Sequence, residues 1–211
     1  MKSIIWDWNG TLLNDASFIC DVANGIISRR GYKTLTFDEA REVSCHPASE
    51  WYRRMGVDFE RHPFADIVTE FQRDYLHNFS RVTLHEDSLL VLSKLKERGI
   101  NQYVLSAHMH SSLVLNVDAH GITEHFEEVL GLDSGHAHSK LENGKELVSR
   151  RGIGKSAVMI GDSSHDAEVA SVLGVPCFLV SRGIESEKRL KNTGCPVFAD
   201  LTNAVQAAGL L

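Results

Sequence analysis

The sequence predicts an α/β fold: a doubly wound parallel sheet, interrupted after its first strand by a small α-helical insertion. Three observations predict it. From about residue 86 onward, short apolar runs alternate with helical patterns, and strands alternating with helices imply a parallel sheet. One apolar run, residues 2–7, stands alone before that alternation and ends on an acid. Between the two, helical periodicity dominates and no strand pattern intervenes.

Residues 2–7 are apolar on both faces, as a central parallel strand should be. In the insertion, Phe18, Val22, Ile26 and Ile27 mark one helix. Thr36 and Asp38 open a second, and Phe64, Ile67, Val68, Phe71 and Tyr75 mark another. Gly31, Gly56 and Pro63 punctuate the segment. A helix over 89–98 then ends at Gly99, where a C-cap belongs. Next come a strand (102–106), a helix (111–119), a short strand (129–131) and a helix (140–151). A strand over 157–160 meets Gly161-Asp162, and a helix runs on to Leu173. A strand over 177–180 and a helix near the C-terminus complete the series. Residues 1–14 and 82–211 therefore make the core and 15–81 a helical cap, too long for a simple loop.

The 211 residues and 43% hydrophobic content suit a core of this size with one insertion. Net charge is −6 with acids and bases mixed, and no basic stripe or arm points to nucleic acid. Cys20, Cys45, Cys177 and Cys195 form no C-x-x-C pair, which fits reduced thiols and a cytoplasmic location. Asp7 breaks the only apolar stretch near the N-terminus, so neither a signal peptide nor a membrane span is expected.

In open parallel sheets ligands bind at the carboxyl ends of strands. Four polar clusters fall there or just beyond: Asp7-Trp8-Asn9-Gly10-Thr11, Ser106, Lys140, and Asp162 with Asp166. Two carboxylates and a backbone carbonyl make a hard oxygen site for Mg²⁺. A hydroxyl and an ammonium can hold an anion beside it, and a free carboxylate oxygen can attack that anion's centre. This is a set suited to phosphoryl transfer, where positioning and charge neutralisation supply most of the rate.

The order and spacing of these clusters resemble the haloacid dehalogenase-like hydrolases. The family's D-x-D-x-T reads here as "DWNGT" (7–11), its strand-end Ser or Thr as Ser106 in "YVLSAH", its helix-opening Lys as Lys140 in "HSKLENGKEL", and its G-D-x-x-x-D as "GDSSHD" (161–166). A helical cap between the first and second motifs is similar to that of phosphoglycolate phosphatase-like members. The resemblance covers essentially the whole chain and implies a phosphatase for a small phosphorylated metabolite. It implies Asp7 as nucleophile, forming an aspartyl-phosphate, and Ser106 and Lys140 as holders of the phosphoryl group. It implies Mg²⁺ on Asp7, the Asn9 carbonyl and Asp162, with Asp166 supporting. Trp8, Thr11, His108, His46 and Arg53 complete the substrate-facing set, Trp8 at the site mouth.

The departure is Asn9, where the family's phosphatases carry the aspartate that acts as general acid/base. An amide cannot deliver a proton, and general acid–base catalysis is typically worth about 10²–10⁴-fold. Several explanations stay open. His46 or His108 could substitute, since histidine titrates near neutral pH. The leaving group could be good enough to need no proton. The protein could bind or sense a phosphorylated ligand with little turnover. Asn9, followed by Gly, could also deamidate, although a tight turn opposes this. Dehalogenation is disfavoured because Asp162 and Asp166 are retained. Phosphonate cleavage is disfavoured because Lys33, the only lysine of the insertion, has no motif around it.

Other readings compete. Lys145 is the alternative to Lys140. Asn-Gly can mark a hairpin, but a helical pattern follows. "GIGKS" (152–156) lacks the first glycine of a nucleotide loop and precedes a strand. Histidines 108, 110, 136 and 138 have no rigid spacing for a transition metal. In "SCHPASEWYRRMG" (44–56), Arg53 and Arg54 face either substrate or solvent.

Overall fold

The computed structural model describes residues 2–132, 139–154 and 156–211. His136 and His138, considered as metal ligands, and Lys155 of the rejected loop lie outside them. The chain enters through β1 (Ser3–Trp6), all four residues buried. It then passes β2 (Leu13–Asn14) and four helices: α1 (Ala16–Ser28), α2 (Phe37–Val43), α3 (Ala48–Arg54) and α4 (Phe64–His77). β3 (Thr83–Leu84) returns antiparallel to β2, pairing Leu13 with Leu84. The rest alternates: α5 (Ser88–Glu97), β4 (Asn101–Met109), α6 (His110–Ala119), β5 (Glu128–Leu132), α7 (Lys140–Arg151), β6 (Ala157–Gly161), α8 (Ser164–Leu173), β7 (Cys177–Val180), α9 (Glu187–Lys191), β8 (Val197–Phe198) and α10 (Leu201–Ala207).

The six long-range strands form one parallel sheet in the order β5-β4-β1-β6-β7-β8. β1 therefore stands where the winding reverses, and ligands gather outside the carboxyl ends at such a point. The apolar run of β1 is explained by its two covered faces. Ile4 and Trp6 join Leu92, Leu95, Leu201 and Val205 from α5 and α10. Ile5 joins Leu105, Met159, Leu147 and Val169 on the opposite face. The Trp6 indole donates to Gln102 Oε1 at 3.1 Å, and Gln102 donates to the Leu92 carbonyl at 2.9 Å, so the buried polar groups are paired.

Helices α1–α4 bury a separate cluster of their own, including Ala23, Ile26, Ile27, Ala40, Trp51 and Ile67. Outside it, Arg29 and Arg30, just after α1, bridge to Glu70 and Asp74 of α4. Arg41 of α2 reaches the Ser181 and Glu185 carbonyls at 2.7 and 2.9 Å, tying the helices to the loop after β7. The expected strand ending at Ser106 instead runs to Met109, through a register irregularity against β5. The β2–β3 ribbon, β8 and α9 were not legible from periodicity, being two to five residues long. Among the described residues no helix is long and apolar enough to cross a membrane.

Candidate active site

Asp7 follows β1 directly. Its N–H donates to the Ile160 carbonyl at 2.8 Å, so the strand ladder continues to the point where the side chain leaves the sheet. Lys140 opens α7. Ser139 and Glu142 form a reciprocal cap at that end, which fixes where the helix begins and aims Lys140 at the sheet. Its ammonium lies 2.5 Å from both Asp7 Oδ1 and Asp166 Oδ1. Lys145 is exposed and takes no part.

Asp166 closes the equivalent cap on α8 with Ser163. Its Oδ2 accepts from the Asp162 and Ser163 amides and from Ser163 Oγ at 3.2, 3.0 and 2.6 Å. With Lys140 on Oδ1, it is a brace between two loops. Asp162 Oδ2 accepts from the Ile184 amide at 3.0 Å. Glycines surround these acids for a steric reason. A Cβ on Gly10 or Gly183 would press on the Asp162 carboxylate, and one on Gly161 on Asp166, closer than real Cβ contacts come. Gly10 also has φ +73°, which favours glycine. Ser106 is buried on β4, and its Oγ accepts from the His108 amide at 3.1 Å.

The electrostatics describe a site short of positive charge. Burial pushes the Asp7 carboxyl up to about 7, against the pull of Lys140 and with the push of Asp166. Burial and the neighbouring acids raise Asp162 well above the carboxylate range. Burial would raise Asp166 too, but Lys140 outweighs it and holds it low. Burial alone would depress Lys140; Asp166 and Asp7 reverse this and keep it charged. One ammonium thus faces three buried carboxylates whose oxygens lie within 4.8 Å of one another. That all-oxygen, net-negative donor set fits a hard divalent cation.

The Asn9 side chain is held by Asp15 and Tyr75. Its Nδ2 donates to Asp15 Oδ2 at 2.6 Å and lies 3.3 Å from the Tyr75 hydroxyl. Asp15 also accepts from the Gly10 amide and from the Tyr75 hydroxyl, both at 2.9 Å. Burial lifts Asp15 to about 6, with the bonds from Asn9 and Tyr75 opposing. The amide therefore joins the turn after β1 to α4. Asp15 and Tyr75 were not singled out from sequence as site residues. The only available signal was an acid at the entrance to the helices.

A cavity of about 290 Å³ collects Asp7, Asn9, Ser106, Lys140 and Asp162 with Asp15. His46 and His108 line it as well. The His46 ring stacks on His165, centroids 3.9 Å apart, and burial followed by His165 lowers its pKa. Burial lowers His108 to about 4. Glu185, overlooked in the sequence, also lines the cavity and accepts from Ser164 Oγ at 2.8 Å. Three expected substrate contacts sit elsewhere. Trp8 is fully buried beneath the turn, edge-on to His120, because the chain folds its indole into the core. Thr11 is buried behind Asp7, its hydroxyl 3.4 Å from Asp7 Oδ2. Arg53 is exposed, pairing with Glu50 and lying over Phe59.

Residues 4–180 match the haloacid dehalogenase-like hydrolase family. The phosphoglycolate phosphatase of Rhodobacter capsulatus is 27% identical over 192 residues, covering 86% of this chain and 84% of its own. That of Caulobacter vibrioides is 28% identical, covering 88% and 81%. In fold the chain is similar to a predicted phosphatase from Clostridium acetobutylicum, with TM-score 0.84 and 17% identity over 100% of this chain and 99% of that one.

Proposed function

Because the chain belongs to the haloacid dehalogenase-like hydrolase family, we propose that it is a Mg²⁺-dependent phosphohydrolase acting on a small phosphorylated metabolite of the cytoplasm. The observation that carries this reading is the convergence of Asp7, Asp162, Asp166 and Lys140 at the carboxyl end of the central strand. The phosphatases among its relatives support it.

Asp7 attacks phosphorus and takes up the phosphoryl group as an aspartyl-phosphate, splitting one difficult hydrolysis into two steps. Lys140 and Ser106 hold the transferring group. Asp7, Asp162 and the Asn9 carbonyl would hold the cation, with Asp166 keeping Lys140 and the loop 162–163 in place. When bound, the cation supplies the positive charge that keeps the buried carboxylates ionised and offsets charge on the phosphoryl oxygens. Residues 15–81 serve as a cap over this site, excluding water and selecting the leaving group.

Asn9 also favours a second reading, a phospholigand-binding or regulatory protein with weak turnover. Its amide is committed to Asp15 and Tyr75 and has no proton to give. Phosphate release from a panel of esters and acyl phosphates, with Mg²⁺ and with chelator, separates the two. Metal-dependent release is expected. Binding of phosphate and Mg²⁺ without release from any compound would favour the second reading.

A further inference from the structure

A second cavity, of about 530 Å³, adjoins the one at Asp7 and falls in the size range of small-molecule sites. It opens between α1, α3, α4 and the end of β4. Ile19, Ala48, Trp51, Phe71, Tyr75 and His108 line both cavities, so the two lie side by side. The larger one is walled by aromatic rings, with Tyr52 and Phe64 added to Trp51, Phe71 and Tyr75.

Its charge is as telling as its shape. Among the described residues that line it there is no Asp, Glu, Lys or Arg. Burial keeps the His108 imidazole neutral at physiological pH. The one lysine lining the adjoining cavity, Lys140, is already shared between Asp7 and Asp166. A carboxylate on the leaving group would be stripped of water there with no counter-charge, which is unfavourable. A flat neutral ring would find stacking partners.

Asn9 points the same way by independent chemistry. The histidines considered as stand-ins for the missing acid do not suit it: His46 and His108 both have lowered pKa values, the Asn9 amide is engaged, and Asp15 beside it already accepts from Asn9, Gly10 and Tyr75. The leaving group must depart unprotonated. A phenol does so readily, with a pKa of about 10 as in tyrosine. An alkyl alcohol, nearer to water at about 15.7, does not.

We infer that the substrate is a phosphate monoester of a neutral phenol, its ring seated among Trp51, Tyr52, Phe64, Phe71 and Tyr75. This rests on the phosphohydrolase reading and names the substrate class of that site. The bond from phosphorus to the phenolic oxygen breaks as the Asp7 oxygen bonds to phosphorus. The phenolate leaves with the electron pair and takes its proton from solvent. Water then attacks the aspartyl-phosphate, releasing inorganic phosphate and restoring Asp7.

The test uses the full chain with phenyl phosphate, 2-phenylethyl phosphate and 2-phosphoglycolate. Phenyl phosphate is expected to exceed 2-phosphoglycolate in kcat/KM by at least about 100-fold. 2-Phenylethyl phosphate, which keeps the ring but leaves as an alkoxide, should share the low KM and lose about 10²–10⁴-fold in kcat. Val68→Arg, which places a cation in the wall, should raise KM for phenyl phosphate by about tenfold. In parallel, benzylphosphonate and phosphonoacetate, which cannot be hydrolysed, are titrated calorimetrically in the presence of Mg²⁺. Tighter binding of phosphonoacetate, or equal turnover of the glycolate ester, overturns the inference. Tighter binding of benzylphosphonate with no turnover of any ester overturns the phosphohydrolase reading and upholds the aryl pocket.

Discussion

At the carboxyl end of the sheet, Asp7, Lys140, Asp162 and Asp166 are 7, 4, 4 and 0% exposed. Across the cavity, α3 and α4 present Trp51, Tyr52, Phe71 and Tyr75, and the ion pairs joining the end of α1 to α4 are partly exposed and do not line it. The floor of the site concentrates charge in a dry place, where each group depends on its neighbours for neutralisation. The roof offers apolar area and keeps its charge in water. The difference teaches a division of labour. Burial makes the floor's electrostatics strong and intolerant of change, whereas the roof changes by packing alone and can set the preference for a leaving group without disturbing the chemistry.

Four changes break or sharpen that contrast. Asp7→Asn is expected to abolish turnover while the circular dichroism spectrum and unfolding midpoint stay close to wild type; turnover at the wild-type rate would remove Asp7 from its role. Gly183→Ala adds a Cβ against the Asp162 carboxylate. Its expected effect is a loss in Mg²⁺ affinity of about 10–100-fold, read from the Mg²⁺ dependence of turnover.

The third change exchanges two residues. Asn9→Asp alone would set a second carboxylate against Asp15 across the present 2.6 Å contact, and the two cannot both ionise. Asn9→Asp with Asp15→Asn keeps the hydrogen bond with its polarity reversed and supplies an acid at position 9. Turnover of alkyl phosphates should rise by about 10²-fold or more, and that of aryl phosphates by much less. An equal gain on both classes would disprove the leaving-group argument.

The smallest effect belongs to the roof. Arg30 and then Arg29 hold Glu70 down to about 2, against an ordinary value of 4.5. Its folded pKa is the lower one, so its contribution is complete above pH 4.5 and is lost as pH falls toward 2. The pair is solvent-screened, so Glu70→Gln should cost only about 0.5–1 kcal/mol at pH 6 in urea unfolding. That deficit should shrink as the pH is lowered through this window.

The same contrast explains what was legible in the sequence. The parallel core could be read because β1, β6 and β7 are apolar on both faces and because helix starts such as Ser139-Lys140 carry capping signals. Asp7, Lys140, Asp162 and Asp166 could be read because each sits just past a strand or in the first turn of a helix, where local sequence determines direction. Trp8 could not be placed: its neighbours in sequence line the site, but the turn at Gly10 folds its indole into the core. Asp15 and Tyr75 are 60 residues apart, and their hydrogen bond exists only after α4 docks beside the turn. The aromatic cavity was hidden for the same reason, since its walls come from α1, α3, α4 and β4 together.

The central claim is that Asp7 becomes covalently phosphorylated during turnover. The most direct measurement is an acid quench of the protein, with Mg²⁺, during hydrolysis of an aryl phosphate radiolabelled in its phosphoryl group. Label on the peptide containing Asp7, discharged by hydroxylamine as an acyl phosphate is, and missing from Asp7→Asn, is the expected result. Steady turnover with no label on the wild-type protein at any quench time, and release undiminished in Asp7→Asn, would contradict it.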